Sequence, residues 1–238
     1  MRKVAICLLG VCPLMAYAAD DTSVTAASTT TENDSAARSV TGSLSLTSDY
    51  IFRGQSLTDH RPAAQGEVDW VHSSGIYLGA WASNLHIPDT ATPLEADWYG
   101  GYNYAINSSL SAGLGAMYYS YYQAADTNTV EFPIQLTWNS TKFGLAYSPH
   151  WGGGTLGSAW YVSTGWSGKA RWNTTLALNA GYSLFASDLG MKNHADFHAG
   201  LSRDMLGLTW DLSGYFVNLE QFNGADDPRG VLTVSKAF

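Results

Sequence analysis

Residues 39–53 read Ser39-Val40-Thr41-Gly42-Ser43-Leu44-Ser45-Leu46-Thr47-Ser48-Asp49-Tyr50-Ile51-Phe52-Arg53. Val40, Gly42, Leu44, Leu46, Ser48, Tyr50 and Phe52 recur at every second position. Thr41, Ser43, Ser45, Thr47, Asp49, Ile51 and Arg53 fill the places between. Side chains alternate across a β-strand, so this spacing predicts one apolar and one hydrophilic face. The run is longer than the usual strand of about five or six residues.

The same period returns along the chain. Residues 64–71 set Gln65, Glu67 and Asp69 on the polar face. Residues 94–104 do so with Glu95, Asp97, Tyr99, Gly101 and Asn103, and residues 130–138 with Glu131, Gln135 and Thr137. Residues 110–122 and 172–184 repeat the pattern, and weaker stretches fall at 76–85, 142–148, 159–166, 196–203, 206–217 and 230–238. About twelve strands result, the even number expected of a single-chain membrane barrel.

The connections alternate in length. Tight polar turns are expected at 73–75, 107–108, 139–141, 167–169 and near Asp204. Longer loops with Gly, Pro and Asp are expected at 55–62, 86–93, 123–128, 149–157, 186–193 and 218–228. A barrel of about twelve strands with both ends in the periplasm needs short turns inside and long loops outside in this order. The fold class expected is therefore all-β, a transmembrane antiparallel up-and-down barrel.

Alternation alone does not say which face points outward, because a soluble sandwich or lipocalin-like barrel would turn its apolar face in. Three features reverse that orientation. Trp70, Trp138, Trp166 and Trp172 gather beside the short turns, as an aromatic girdle at a headgroup boundary requires. The polar faces carry Ser, Thr, Asn, Gly and a few acids with hardly any Lys, which suits a crowded lumen better than a solvated sheet. The chain ends on Phe238, sharing a face with Leu232 and Val234, a terminal aromatic of the kind read by the outer-membrane assembly machinery. Lys236 interrupts that face near the periplasmic edge, where a long side chain reaches water.

Charge and termini agree. Only 13% of residues are charged, against about 25% in soluble domains. Arg2 and Lys3 precede an apolar run ending at Met15, and Ala16-Tyr17-Ala18 supplies a cleavage pattern. Residues 1–18 are expected to be a signal peptide and 19–38 a disordered periplasmic leader, leaving 39–238 as the barrel. Both cysteines, Cys7 and Cys12, fall in the signal, so no disulfide or thiol–metal site is expected in the mature chain. Of 12 basic residues, removal of Arg2 and Lys3 leaves 10 against 20 acids, which excludes a nucleic-acid partner. The partners expected are outer-membrane lipid and lipopolysaccharide, the assembly machinery and small solutes. No cofactor or metal is expected.

Residues Ser48 to Ser56, Pro62 to Asp69 and Gly75 to Asn84 resemble the proteobacterial Gcw_chp family, the TorF-type porin-like proteins. Glu95, Asp97, Tyr99, Gly101 and Tyr102 continue the likeness, which is specific from Leu44 to about Tyr104. The resemblance implies an outer-membrane barrel and a pore. It brings no substrate and no catalytic residues.

Pairing the first two strands across the loop at 55–62 would set Asp49 roughly opposite Glu67, and Arg53 roughly opposite Ala63. Asp49, Arg53, Glu67, Asp69, Glu95, Asp97 and Glu131 are thus the candidate lumen residues, with Arg53 the main cation among acids. Such a set either stiffens the barrel through buried ion pairs or forms a constriction that favours cations. About twelve strands imply a narrow pore, open to small solutes or plugged by a loop. The Gly-rich Trp151-Gly152-Gly153-Gly154 is a candidate plug, though a surface loop explains it more simply. Two rival classes remain. A barrel hydrolase would use Asp196, His198 and Asp211, but no nucleophile stands at recognisable spacing. A receptor or adhesin would use outer loops such as Asp226-Asp227-Pro228.

Overall fold

The computed structural model describes residues 38–87, 90, 92–154, 157–186, 192–218 and 228–238. The expected signal peptide, nearly all of the leader and the Asp226-Asp227 loop tip lie outside the described residues.

Alternating sequence becomes strand wherever both neighbours can complete the hydrogen-bond ladder. In chain order the strands are β1 (Arg38–Thr47), β2 (Ile51–Phe52), β3 (Gln55–Ser56), β4 (Ala63–His72), β5 (Ile76–Asn84), β6 (Leu94–Asn107) and β7 (Leu110–Tyr121). They continue with β8 (Thr129–Trp138), β9 (Thr141–Ser148), β10 (Ala159–Lys169), β11 (Thr175–Phe185), β12 (His194–Met205), β13 (Leu208–Val217) and β14 (Arg229–Ala237). All but β2 and β3 form one closed antiparallel barrel of sequential neighbours, in which β1 pairs with both β4 and β14. Leu46 lies between Ala64 on one side and Val234 on the other. Closure leaves no unpaired edge. At the seam Gly42 and Phe238 exchange both main-chain hydrogen bonds, at 3.0 Å each.

Outward positions are apolar. Leu44, Leu46, Leu78, Leu114, Ile134, Leu178, Leu201, Leu212 and Leu232 all stand on the outer wall with their side chains exposed, Leu46 by 66%. A water-facing surface of this kind would be costly, whereas hydrocarbon accepts it. Inward positions such as Ser83, Glu95, Asp97, Glu131, Ser163 and Asp196 are polar and buried. No helix among the described residues is long and apolar enough to cross a membrane, which says nothing of a barrel.

Three local expectations are corrected. Residues 167–169 are not a turn: β10 runs on to Lys169 opposite Thr175, and the connection falls at 170–174. Trp172 therefore lies in the turn rather than in a strand, at φ +58°, outside the range an extended residue can take. It keeps its place at the short-turn end, 78% exposed, beside Trp138 and Trp166 on the outer wall. Trp70 also faces out there and stacks on His72 with ring centroids 5.9 Å apart. The third correction concerns residues 48–53. They continue the period-two pattern but leave the sheet after Thr47, and both Tyr50 and Phe52 are buried.

Candidate functional site

The connection from β1 to β4 turns into the barrel. Its core is the hairpin β2–β3, whose two-residue tip is Arg53-Gly54. Both tip residues have positive φ, +45° and +83°, as in the turn type that suits a tight hairpin. Glycine adopts this freely. Arg53 does so at a cost of about 1–2 kcal/mol, which the surroundings must offset.

Asp49 knots the base of this insertion. Its carboxylate accepts hydrogen bonds from Ser56 Oγ at 2.5 Å, Thr58 Oγ1 at 2.9 Å and Arg229 Nη1 at 3.1 Å. Thr58 Oγ1 in turn accepts from the Tyr50 main chain at 3.0 Å, and Leu57 N donates to Tyr50 O at 2.8 Å. The knot fastens the segment to the start of β14.

The tip spans the lumen. Tyr50 donates to Glu95 on β6 at 2.9 Å and lies 5.4 Å from the Trp81 ring on β5. Arg53 Nη2 donates to both carboxylate oxygens of Glu131 on β8, at 2.9 and 2.8 Å. Gly54 abuts Val217 on β13 and Asp196 on β12, and Gln55 Nε2 lies 3.3 Å from His194 Nε2. The hairpin thus touches walls on opposite sides of the barrel. Around it Leu57, Met117, Tyr119, Tyr121, Trp151 and Ala124 form a packed cluster. Glu95 and Asp97 are wholly buried. In this structure the long-loop half of the lumen is filled by side chains.

Arg53 is held by more than charge. Its guanidinium carbon lies 4.0 Å from the Tyr161 ring centroid, 4.6 Å from Phe52 and 5.4 Å from Trp151. A desolvated cation over an aromatic face gains about 2 kcal/mol. Removing one member of a buried ion pair costs about 3–5 kcal/mol, because the other charge is stranded. Tyr119 adds a hydrogen bond of 3.1 Å to Glu131. The Trp151–Gly154 segment packs inward too: Gly152 N donates to Thr129 Oγ1 at 3.0 Å. A β-carbon on Gly153 would stand 1.6 Å from the Asp126 carbonyl oxygen, so only glycine fits there. This segment buttresses the plug, whereas the plug itself comes from residues 49–58.

The remaining candidate residues line the wall. Glu67 and Asp69 face inward on β4, and Tyr99 Oη on β6 lies 2.8 Å from each. The sheet sets Ser43 opposite Glu67 and Thr47 opposite Ala63. Asp49 and Arg53 are therefore not the cross-strand neighbours the alternation implied, and Arg53 pairs with Glu131 rather than with Asp49 or the acids of β4 and β6. Asp49, Glu67, Asp69, Glu95, Asp97, Glu131, Asp196 and Asp211 face the interior, against Arg53, Lys142 and Arg229 with Lys169 at the rim.

A second polar cluster lies on β11–β13. Asn179 Nδ2 is 2.9 Å from His198 Nδ1, and His198 Nε2 is 2.8 Å from Ser213 Oγ. Ser213 Oγ donates to Asp211 Oδ1 at 2.5 Å, and Tyr215 stacks on the imidazole at 4.6 Å. A hydroxyl thus does stand against His198, which the sequence did not reveal. The β12–β13 register, with Gly200 opposite Ser213 and His198 opposite Tyr215, makes them diagonal neighbours. The Ser213 proton is committed to Asp211, so the imidazole donates to the serine instead of activating it. His198 and Asp196 are two positions apart on one face, but Asp196 accepts from Tyr161 at 3.1 Å. No group of three His, Cys, Asp or Glu among the described residues is arranged to hold a metal ion.

A family model described as "Bacterial protein of unknown function (Gcw_chp)" matches residues 31–236. The chain belongs to the Gcw_chp family. Among curated proteins nothing matches it. Among solved structures it is similar to the KdgM porin, with a TM-score of 0.57, 11% identity, and 84% of this chain and 98% of that chain covered. The NanC porin gives 0.55 and 9% over 84% and 98% of the two chains. These likenesses show the barrel fold. Of the residues that carry the Gcw_chp resemblance, Ser48 to Ser56 now form the plug, and Glu95 receives its Tyr50 hydroxyl. Tyr99 bridges Glu67 and Asp69.

Proposed function

We propose that this protein is an outer-membrane, porin-like channel for ions and small solutes that prefers cations and is occluded in the described conformation by its own first loop. One observation carries the reading: an apolar outer wall encloses a polar interior in which acids outnumber cations. A lipid-facing barrel of this width has room inside for a narrow path. The girdle of Trp138, Trp166 and Trp172 at the short-turn end sets the periplasmic boundary, and the long loops lie outside. One solved KdgM structure is of a complex with disordered oligogalacturonate, a polyanion. The acidic lumen here favours cations or neutral solutes instead. Reconstituting the protein in a planar bilayer tests the reading. Discrete conductance steps and a reversal potential of cation-selective sign under a salt gradient are expected. Absence of any conductance, from a preparation that shows the heat-dependent gel shift of a folded barrel, overturns it.

A further inference from the structure

We infer that Glu131, Tyr119, Tyr161 and Trp151 form a binding subsite for a guanidinium or similar organic cation, and that Arg53 is a tethered occupant of it. The inference deepens the channel reading and rests on it for its role in transport.

The wall and the loop contribute separately. Glu131, Tyr119 and Tyr161 belong to strands β8, β7 and β10, and Trp151 to the connection after β9, so the site exists apart from the hairpin. Arg53 comes from the inserted loop, as does the Phe52 ring that lies 4.6 Å from its guanidinium. Its Nη2 takes both oxygens of Glu131, and rings of Tyr161 and Trp151 cover the guanidinium at 4.0 and 5.4 Å. Both partners are almost sealed from water, with side-chain exposures of 4% and 2%. Carboxylate plus aromatic faces is the chemistry that recognises a flat, weakly hydrated cation. The tip reaches it through a left-handed residue at φ +45°, a conformation whose cost the binding of the delivered cation offsets. If the hairpin withdraws, Glu131 opens to the lumen without its cation and can take a replacement. A solute carrying a guanidinium group is such a replacement, and the loop then competes with it.

Guanidinium chloride is the probe, at millimolar concentrations far below those that unfold proteins, against sodium chloride at equal ionic strength. Binding is followed by calorimetry on full-length protein in detergent. Arg53→Ala is expected to bind guanidinium saturably, and Arg53→Ala/Glu131→Gln at least about tenfold more weakly. Wild type, whose site is filled, is expected to show no saturable binding. Equal affinity of the single and double variants overturns the subsite. Should Arg53→Ala fail to fold, it is refolded with and without guanidinium beside Arg53→Gln. Rescue of the gel shift by guanidinium supports the inference, and failure of both variants in its presence overturns it. In the bilayer, guanidinium should block Arg53→Ala current but not that of the double variant. Guanidinium binding by a protein that never conducts would sink the channel and leave the subsite. Conduction without guanidinium binding would do the reverse.

Discussion

Gly54 and Val217 are in such close contact that a β-carbon on Gly54 would stand 2.6 Å from Val217 Cβ. The contact seats the plug tip against β13, on the far side of the lumen from the Tyr50–Glu95 hydrogen bond. Gly54→Ala adds both this clash and a side chain at φ +83°. Left-handed strain alone is about 1–2 kcal/mol. That shifts the balance between seated and unseated hairpin roughly 5- to 30-fold. Larger or more frequent openings in a bilayer are expected, with the barrel's gel shift intact. Unchanged conductance would show that the tip does not limit passage.

Why the plug escaped the sequence is visible in the same residues. Ser48, Tyr50 and Phe52 keep the alternation of Val40 to Leu46, so nothing in the period marks where the sheet ends. The departure is caused by tertiary contacts: Asp49 is drawn to Ser56, Thr58 and Arg229, 180 residues away, and Arg53 to Glu131, 78 residues away. Only the Arg53-Gly54 pair, a glycine interrupting a strand pattern, hints at a turn. By contrast Leu44, Leu78, Ile134 and Leu212 declared the outer wall directly, because lipid contact depends on side-chain alternation and little else. Trp172 was misplaced for a related reason. The pattern from Leu176 to Leu184 extrapolates backwards into a turn whose left-handed residues carry no clear sign in their chemistry.

The Tyr99 hydroxyl has one proton for two carboxylates, so it can donate to Glu67 or Asp69 but not both at once. The second acid is then left without that donor. Neutralising the pair as Glu67→Gln/Asp69→Asn should cut the cation preference, read as a reversal potential under a salt gradient reduced by about half or more. Tyr99→Phe should move it in the same direction but less, since the Tyr99 hydroxyl favours the ionised form of the carboxylate it donates to. No shift in either variant would assign these residues a purely structural role.

The Asn179–His198–Ser213–Asp211 chain offers a direct test of the rival hydrolase class. With the serine hydroxyl donating to Asp211, Ser213 is expected to resist a fluorophosphonate label, and Ser213→Ala to cost about 0.5–1.5 kcal/mol of stability for each of its two lost hydrogen bonds. The label is followed by mass spectrometry on folded protein. Modification at Ser213 that disappears in His198→Ala would restore an enzymatic reading of this wall.

Phe238 closes the β1–β14 seam through two main-chain hydrogen bonds with Gly42, and its ring lies over Gly42, where a β-carbon would stand 2.6 Å from it. Deleting Phe238 removes both bonds, worth about 0.5–1.5 kcal/mol each. The temperature at which purified barrel loses its compact gel mobility should therefore fall. Gly42→Ala displaces the ring but keeps the main-chain pair, and should lower that temperature less. The two variants also separate seam closure from recognition by the assembly machinery. A recognition role predicts that the deletion reduces outer-membrane yield in cells far more than its thermal effect would, while Gly42→Ala yields normally. Equal losses of yield, in proportion to the thermal shift, would mean that Phe238 acts through the seam alone.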